Sequence, residues 1–160
     1  MGKAALEIKW GLIFTAVALL WMVFEKSMGW HGESIDQHAT YTNFFAIPSI
    51  AVFVFALLDK RRQLGGVMSW KQGFISGAII SLVVAILAPL AQWLTHRVIS
   101  PEYFPNAIDF AVANNKATQE EAEAYFNLGS YMLQGSVGGL VMGLATAAIV
   151  ALFVRKKPAR

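Results

Sequence analysis

Three observations predict an all-α fold, a four-helix transmembrane bundle with N and C termini cytoplasmic and a partly helical outer loop between helices 3 and 4. Four apolar stretches are long enough to cross a hydrocarbon core, which takes about 20 helical residues. Lysine and arginine gather on one side of those stretches, and small residues recur at every fourth position on two of them. Composition agrees: 56% of the 160 residues are hydrophobic, 14% are charged and the mean hydropathy is +0.51. Soluble domains sit near about half apolar and about a quarter charged. No polar interval is long enough to fold as a second domain, so residues 1–160 read as a single integral membrane domain. Cysteine is absent, which removes disulfides, thiolate metal sites and thiol nucleophiles together.

The first helix is expected over 8–27, built on "WGLIFTAVALLWMVF". The second, over 39–58, carries Pro48, which should kink it because the ring removes a backbone donor. The third, over 70–97, has Pro89 near its far end, and the fourth, over 127–154, holds "LGSYMLQGSVGGLVMGLATAAIVALFV". Between the last two lies the outer loop, 98–126, in which Pro101 and Pro105 suit the first turn of a short helix whose face is formed by Ile108, Ala111 and Val112. Ser34 with Gln37, and Thr118 with Glu121, have capping-box spacing, so helix two should start in "ESIDQ" and the last helix near Gln119.

Orientation follows from basic residues in short loops. With the N-terminus inside, Lys3, Lys9, Lys60, Arg61, Arg62, Lys71, Arg155, Lys156, Lys157 and Arg160 fall on the inner side, ten in all, against Lys26, Arg97 and Lys116 outside. An uncleaved first helix fits better than a signal peptide: Glu7 interrupts the basic start, Glu25 and Lys26 crowd any cleavage site, and cleavage would strand the basic tail on the wrong side. The clusters containing Arg61, Arg62, Arg155, Lys156 and Lys157 suit anionic lipid headgroups, at about 1 kcal/mol per nearby charge. Membrane lipids are the expected partners, and nucleic acid is not, although Arg61 or Arg62 also suits a cytoplasmic partner.

Packing is signalled by Ser69, Gly73, Gly77, Ser81 and Ala85 on helix three and by Gly135, Gly139, Gly143, Ala147 and Ala151 on helix four. Small residues at this spacing let two backbones approach closely. Intramolecular packing of these two faces is preferred, and a homo-oligomer joined through the Gly135-Gly139-Gly143 stripe is the alternative.

Polar residues near the outer half come from every helix: Glu25, His38 and Asn43, Gln92 and His96, Tyr131 and Gln134, with Asn127 above them. Such groups avoid lipid, so they are candidates for a polar vestibule open to the outside, with Glu25 expected to pair with His38. The plainer reading leaves them at headgroup level, bonded to water. His31, His38 and His96 with Glu25, Glu33 or Asp36 supply donor types suited to zinc or another divalent ion, but His31 and His38 are separated by Gly32 and the Ser34 cap, and one helical face cannot present both. No metal and no cofactor is therefore expected. Nor does the chain carry a phosphate-binding glycine loop, a serine elbow or an HExxH pair, so it is not read as an enzyme.

"ALEIKWGLIFT", "EKSMGWH", "HATYTNFFAIP", "DKRR", "MSWKQGFISG", "ISPEYFPNAI", "TQEEAEAYFNL" and the closing "RKK" together resemble a family of small bacterial integral membrane proteins, domain of unknown function number four-one-nine-nine, across essentially the whole chain. The resemblance implies a four-helix membrane domain, multi-pass in a bacterial cytoplasmic (inner) membrane, and brings no activity or catalytic residues. Two function classes remain: binding or transport of a small solute or ion through the outer vestibule, and a non-catalytic scaffold or accessory subunit that meets an unidentified membrane partner through its acidic outer loop. Against transport, the inner half of each helix reads as almost wholly apolar.

Overall fold

The computed structural model describes residues 4–157; Lys3 and Arg160, two of the basic residues assigned to the inner side, lie outside that range. Four helical runs are long and apolar enough to cross a membrane: Ala5–Ser27, Ile35–Gln63, Trp70–Ile99 and Leu128–Val154. Leu20, Ile47, Phe55, Ile86, Met142 and Phe153 stand exposed on them. Large apolar side chains on every face of a bundle are at home in lipid and unsustainable in water. The chain is a multi-pass membrane protein.

The first helix, α1 (Ala5–Ser27), stops because Gly29 adopts φ 77°, a left-handed conformation open to a residue without Cβ. The Gly29 amide then reaches the Lys26 carbonyl and the Trp30 amide that of Glu25, a Schellman turn that folds the chain back over its own last turn. Gly65 and Asn115 close the helices Ala46–Gln63 and Tyr103–Ala113 with the same bond pattern.

The second span is jointed. It consists of α2 (Ile35–Tyr41), a 3-10 turn at Thr42–Phe45 and α3 (Ala46–Gln63). Pro48 stands in the first turn of α3, and its ring crowds the carbonyl four residues back, at Phe44, so the irregularity falls before the proline. Ser34 does not form the expected capping box. Its side chain makes no cap bond, because its backbone (φ −114°, ψ 36°) is drawn into the preceding turn by a 2.9 Å bond to the Gly29 carbonyl and is not extended as a capping residue must be.

The third span, α4 (Trp70–Leu94), ends in a π-helical turn over Thr95–Ile99, where the Ser100 amide reaches the Thr95 carbonyl at 2.7 Å. The connection to the last span holds α5 (Tyr103–Ala113), which buries Tyr103, Ala107 and Ala111, and α6 (Gln119–Tyr125), which starts at the expected Thr118–Glu121 capping box. The last span does not continue from α6. The chain breaks at Phe126, and α7 (Leu128–Val154) starts afresh with the Asn127 side chain accepting from the Ser130 amide at 2.9 Å.

Helices α4 and α7 run antiparallel with Gly73 against Ala151, Gly77 against Ala147 and Ser81 against Gly143. A Cβ at Gly77 or Gly143 would overlap the facing side chain, and one at Gly73 would stand 3.1 Å from the Ala151 methyl. Gly135 packs on Gln92 and Ala88. Gly139 departs from expectation: its nearest neighbour is Val84 Cγ1 at 4.0 Å, and it lines a cavity walled by residues of all four spans. Beside the seam, Phe53, Leu57, Ile80, Val150 and Val154 form the core together with Ala147 and Ala151.

Both described ends of the chain lie at one end of the bundle: an antiparallel bridge ties Lys156 to Met68 in the connection between α3 and α4, and Glu7 and Lys9 pair with Lys60 and Asp59 at the end of α3. This terminal end is less apolar than the sequence suggests. Glu7, 2% exposed, receives Lys60 Nζ at 2.8 Å and the Ser76 hydroxyl at 2.7 Å, and Asp59 receives Lys9 at 2.6 Å and the Trp10 indole at 2.8 Å. Nor is Arg61 free for headgroups, since its guanidinium donates to the Val154 carbonyl at 2.9 Å and satisfies the open end of α7.

Candidate functional site

At the opposite, loop end, the last turn of α1 delivers Glu25 into the bundle, where its side chain is fully buried. The Schellman turn that follows swings His31 back over it, and α2 brings in His38 from the other side. His31 Nε2 lies 3.0 Å and His38 Nδ1 3.5 Å from the same oxygen, Glu25 Oε2. The other carboxylate oxygen, Oε1, accepts from the Trp21 indole one helical turn away at 2.5 Å. His31 is held from behind: its Nδ1 lies 2.8 Å from Ser100 Oγ, and its carbonyl accepts from the Asn106 side-chain Nδ2 at 2.9 Å. Lys26 ties the same corner down by donating to the Ile99 carbonyl.

His31 and His38, expected from their spacing to stay apart, thus meet on one carboxylate: no single helical face presents both, and the turn after α1 carries His31 back onto the end of that helix. Glu25, His31 and His38 each offer a ligand atom, all within 4.8 Å of one another, and among the described residues this is the group equipped to hold a cation.

Tyr103, on α5, joins this cluster to a second one. Its ring packs against His31, His38 and His96 with centroid separations of 5.1, 5.2 and 5.3 Å, and its hydroxyl lies 3.1 Å from that of Tyr131. Burial pushes the Tyr103 phenol above its ordinary range, so it stays neutral and acts as a hydrogen-bonding group near neutral pH. His96 stacks on Phe104 at 4.1 Å and meets Gln92 Oε1 through Nε2 at 3.1 Å. The Nδ1 atoms of His38 and His96 are buried without a hydrogen-bond partner. Such atoms are few in folded proteins, and each asks for an explanation.

A cavity of about 670 Å³ opens beside the cluster, walled by His38, Tyr103, Tyr131, Asp36, Lys116 and Glu121 among others. Glu121 is held below the usual carboxylate range by the Thr118 amide and hydroxyl, so the rim keeps a negative charge. Of the residues proposed for a vestibule, Glu25 and His38 meet directly, and Tyr131, His96 and Gln92 follow through Tyr103. Asn43 and Gln134 do not join them. Asn43 bonds the Ala39 and Thr40 carbonyls just before it and, with Gln92, lines the separate cavity of about 460 Å³ that Gly139 also lines. Gln134 bonds Ser130 Oγ on its own helix. Tyr103 was not foreseen as a site residue, and His31, though a metal-ligand residue type beside Glu25 and His38 in sequence, was set aside on its spacing from His38.

Fold and site together define a four-span helical membrane domain with a buried carboxylate–histidine cluster at its loop end. The chain belongs to the family described as "Protein of unknown function (DUF4199)", which matches residues 9–156. No curated protein and no solved structure matches it.

Proposed function

We propose that this protein sits in a bacterial cytoplasmic membrane with both termini inside and binds a small solute or ion, drawn from the outside, in the loop-end cavity, without catalysing its conversion. The observation that carries this reading is the buried, unpartnered Nδ1 of His38 beside Glu25, on the wall of a cavity large enough for a small ligand. The orientation rests on the basic count, and Lys9, Lys60, Arg61 and Lys156 do gather at the terminal end. Binding is favoured over conduction because the core around Phe53, Leu57 and Ile80 packs the terminal half of the bundle. A scaffold role would use the exposed acids Asp109, Glu120 and Glu123 but leaves the buried histidines without a purpose.

The absence of cysteine makes the test clean. In intact cells, a membrane-impermeant maleimide should modify Ala39→Cys and Ala117→Cys, both on the cavity wall, and should reach Gln63→Cys, at the terminal end, only after permeabilisation. The reverse pattern overturns the orientation. Failure of both cavity positions to react even in permeabilised cells overturns a water-reached chamber.

A further inference from the structure

We infer that Glu25, His31 and His38 are ligands of a divalent transition-metal ion of the zinc class. The inference deepens, and rests on, the reading of the loop end as a binding chamber.

Donor geometry is the first argument. Zinc bonds to imidazole nitrogen and carboxylate oxygen are about 2.0–2.2 Å, which sets neighbouring donors of a tetrahedron about 3.3–3.6 Å apart. Glu25 Oε2 stands 3.0 Å from His31 Nε2 and 3.5 Å from His38 Nδ1. Both distances lie within a few tenths of an ångström of that range, and the ligand atoms of all three residues lie within 4.8 Å of one another.

Hydrogen bonding is the second. Two imidazole nitrogens approach one carboxylate oxygen, and the contact from His38 does not have the geometry of a hydrogen bond, which leaves its Nδ1 buried and unpaired. A proton between Glu25 and His31 satisfies that pair alone. A metal ion accepts a lone pair from all three donors at once and accounts for the orphaned nitrogen.

The surroundings are the third. Metal-binding histidines characteristically engage their other ring nitrogen with a fixed partner, and ligating carboxylates are themselves hydrogen-bonded. Here Ser100 Oγ stands at His31 Nδ1 and the Trp21 indole at Glu25 Oε1. The donor set selects the metal class. Two imidazoles and one carboxylate suit zinc, iron(II) or cobalt(II), whereas magnesium and calcium demand shells of oxygen and copper(I) favours sulfur ligands. Three protein ligands leave a coordination position for a water or a solute oxygen, and His38 forms part of the cavity wall from which either would arrive.

The experiment uses full-length protein purified in detergent without a polyhistidine tag, stripped with chelator and equilibrated with zinc chloride. Wild type should retain one zinc per chain after gel filtration and gain thermal stability from it. Cobalt(II) in its place should give the intense visible absorption of a tetrahedral site, a readout that needs no variant. His38→Ala and Glu25→Gln should each lower zinc affinity at least tenfold, and Ser100→Ala should lower it about 10–100-fold. The unfolding profile of each metal-free variant identifies any that fails to fold. Because His38 is the most exposed of the three ligands, His38→Ala is the variant expected to keep its fold. Wild type that binds neither zinc nor cobalt, or whose binding survives in a folded His38→Ala variant, overturns the assignment. If zinc fails while Ala39→Cys still reacts with maleimide, the chamber stands and the metal does not; if Ala39→Cys is unreactive, the underlying reading fails first.

Discussion

Replacing Gly77 with leucine is expected to force α4 and α7 apart and to lower thermal stability in detergent more than any other single change at a glycine of the seam. A Cβ there already overlaps the Ala147 methyl and comes within 3.3 Å of the Ala147 Cα, with Phe53 a further 3.7 Å neighbour, so no side-chain rotation relieves the clash. Overpacking of this kind costs about 1–3 kcal/mol and more when backbone must move. The close backbone approach along the seam, which substitutes for a hydrophobic driving force in lipid, is lost as well. Gly138→Leu, where a Cβ meets nothing within 4 Å, is the matched control. Gly139→Leu should be mild for the same reason, since only Val84 stands near, at 4.0 Å. Thermal unfolding followed by circular dichroism separates the three, and an unchanged profile for Gly77→Leu would mean that the helices do not meet at this register.

The second large effect is expected at the terminal end. Lys60→Met strips the cationic partner from Glu7, a carboxylate 2% exposed and left with the Ser76 hydroxyl alone. Removing one member of a buried ion pair costs about 3–5 kcal/mol, because the remaining charge stays desolvated, while replacing both members by apolar groups of similar size is often neutral. The double change Glu7→Leu with Lys60→Met should therefore recover most of the stability that Lys60→Met loses. Chemical unfolding of the two singles and the double forms a complete cycle. Strict additivity would show that the 2.8 Å contact contributes nothing beyond its separate halves.

The spans and the seam were legible because each is a local, periodic pattern: apolar runs of membrane length, and small residues four apart that end up as Gly73 on Ala151 and Gly77 on Ala147. The Thr118–Glu121 cap was legible for the same reason, since both partners lie within one turn. What escaped depends on contacts between distant segments. Glu7 looks like a surface acid until Lys60 and Ser76 fold onto it. Tyr103 gains its place among three histidines only when α5 packs across the bundle end. His31 escaped for a different reason: the helix break at Gly32 and Ser34 implies that no single helical face presents both His31 and His38, yet the turn at left-handed Gly29 carries His31 onto Glu25 while α2 brings in His38. The break at Phe126–Asn127 was hidden because Asn127 reads equally well inside a polar helix or as the start of a new one.

The account turns on Glu25, His31 and His38 acting as one centre, and X-ray absorption at the zinc edge of the zinc-loaded wild-type protein addresses that most directly. It predicts a first shell of nitrogen and oxygen at about 2.0–2.2 Å, with the multiple-scattering pattern of two imidazoles. A shell of oxygen alone, or scattering from a single imidazole, would contradict it.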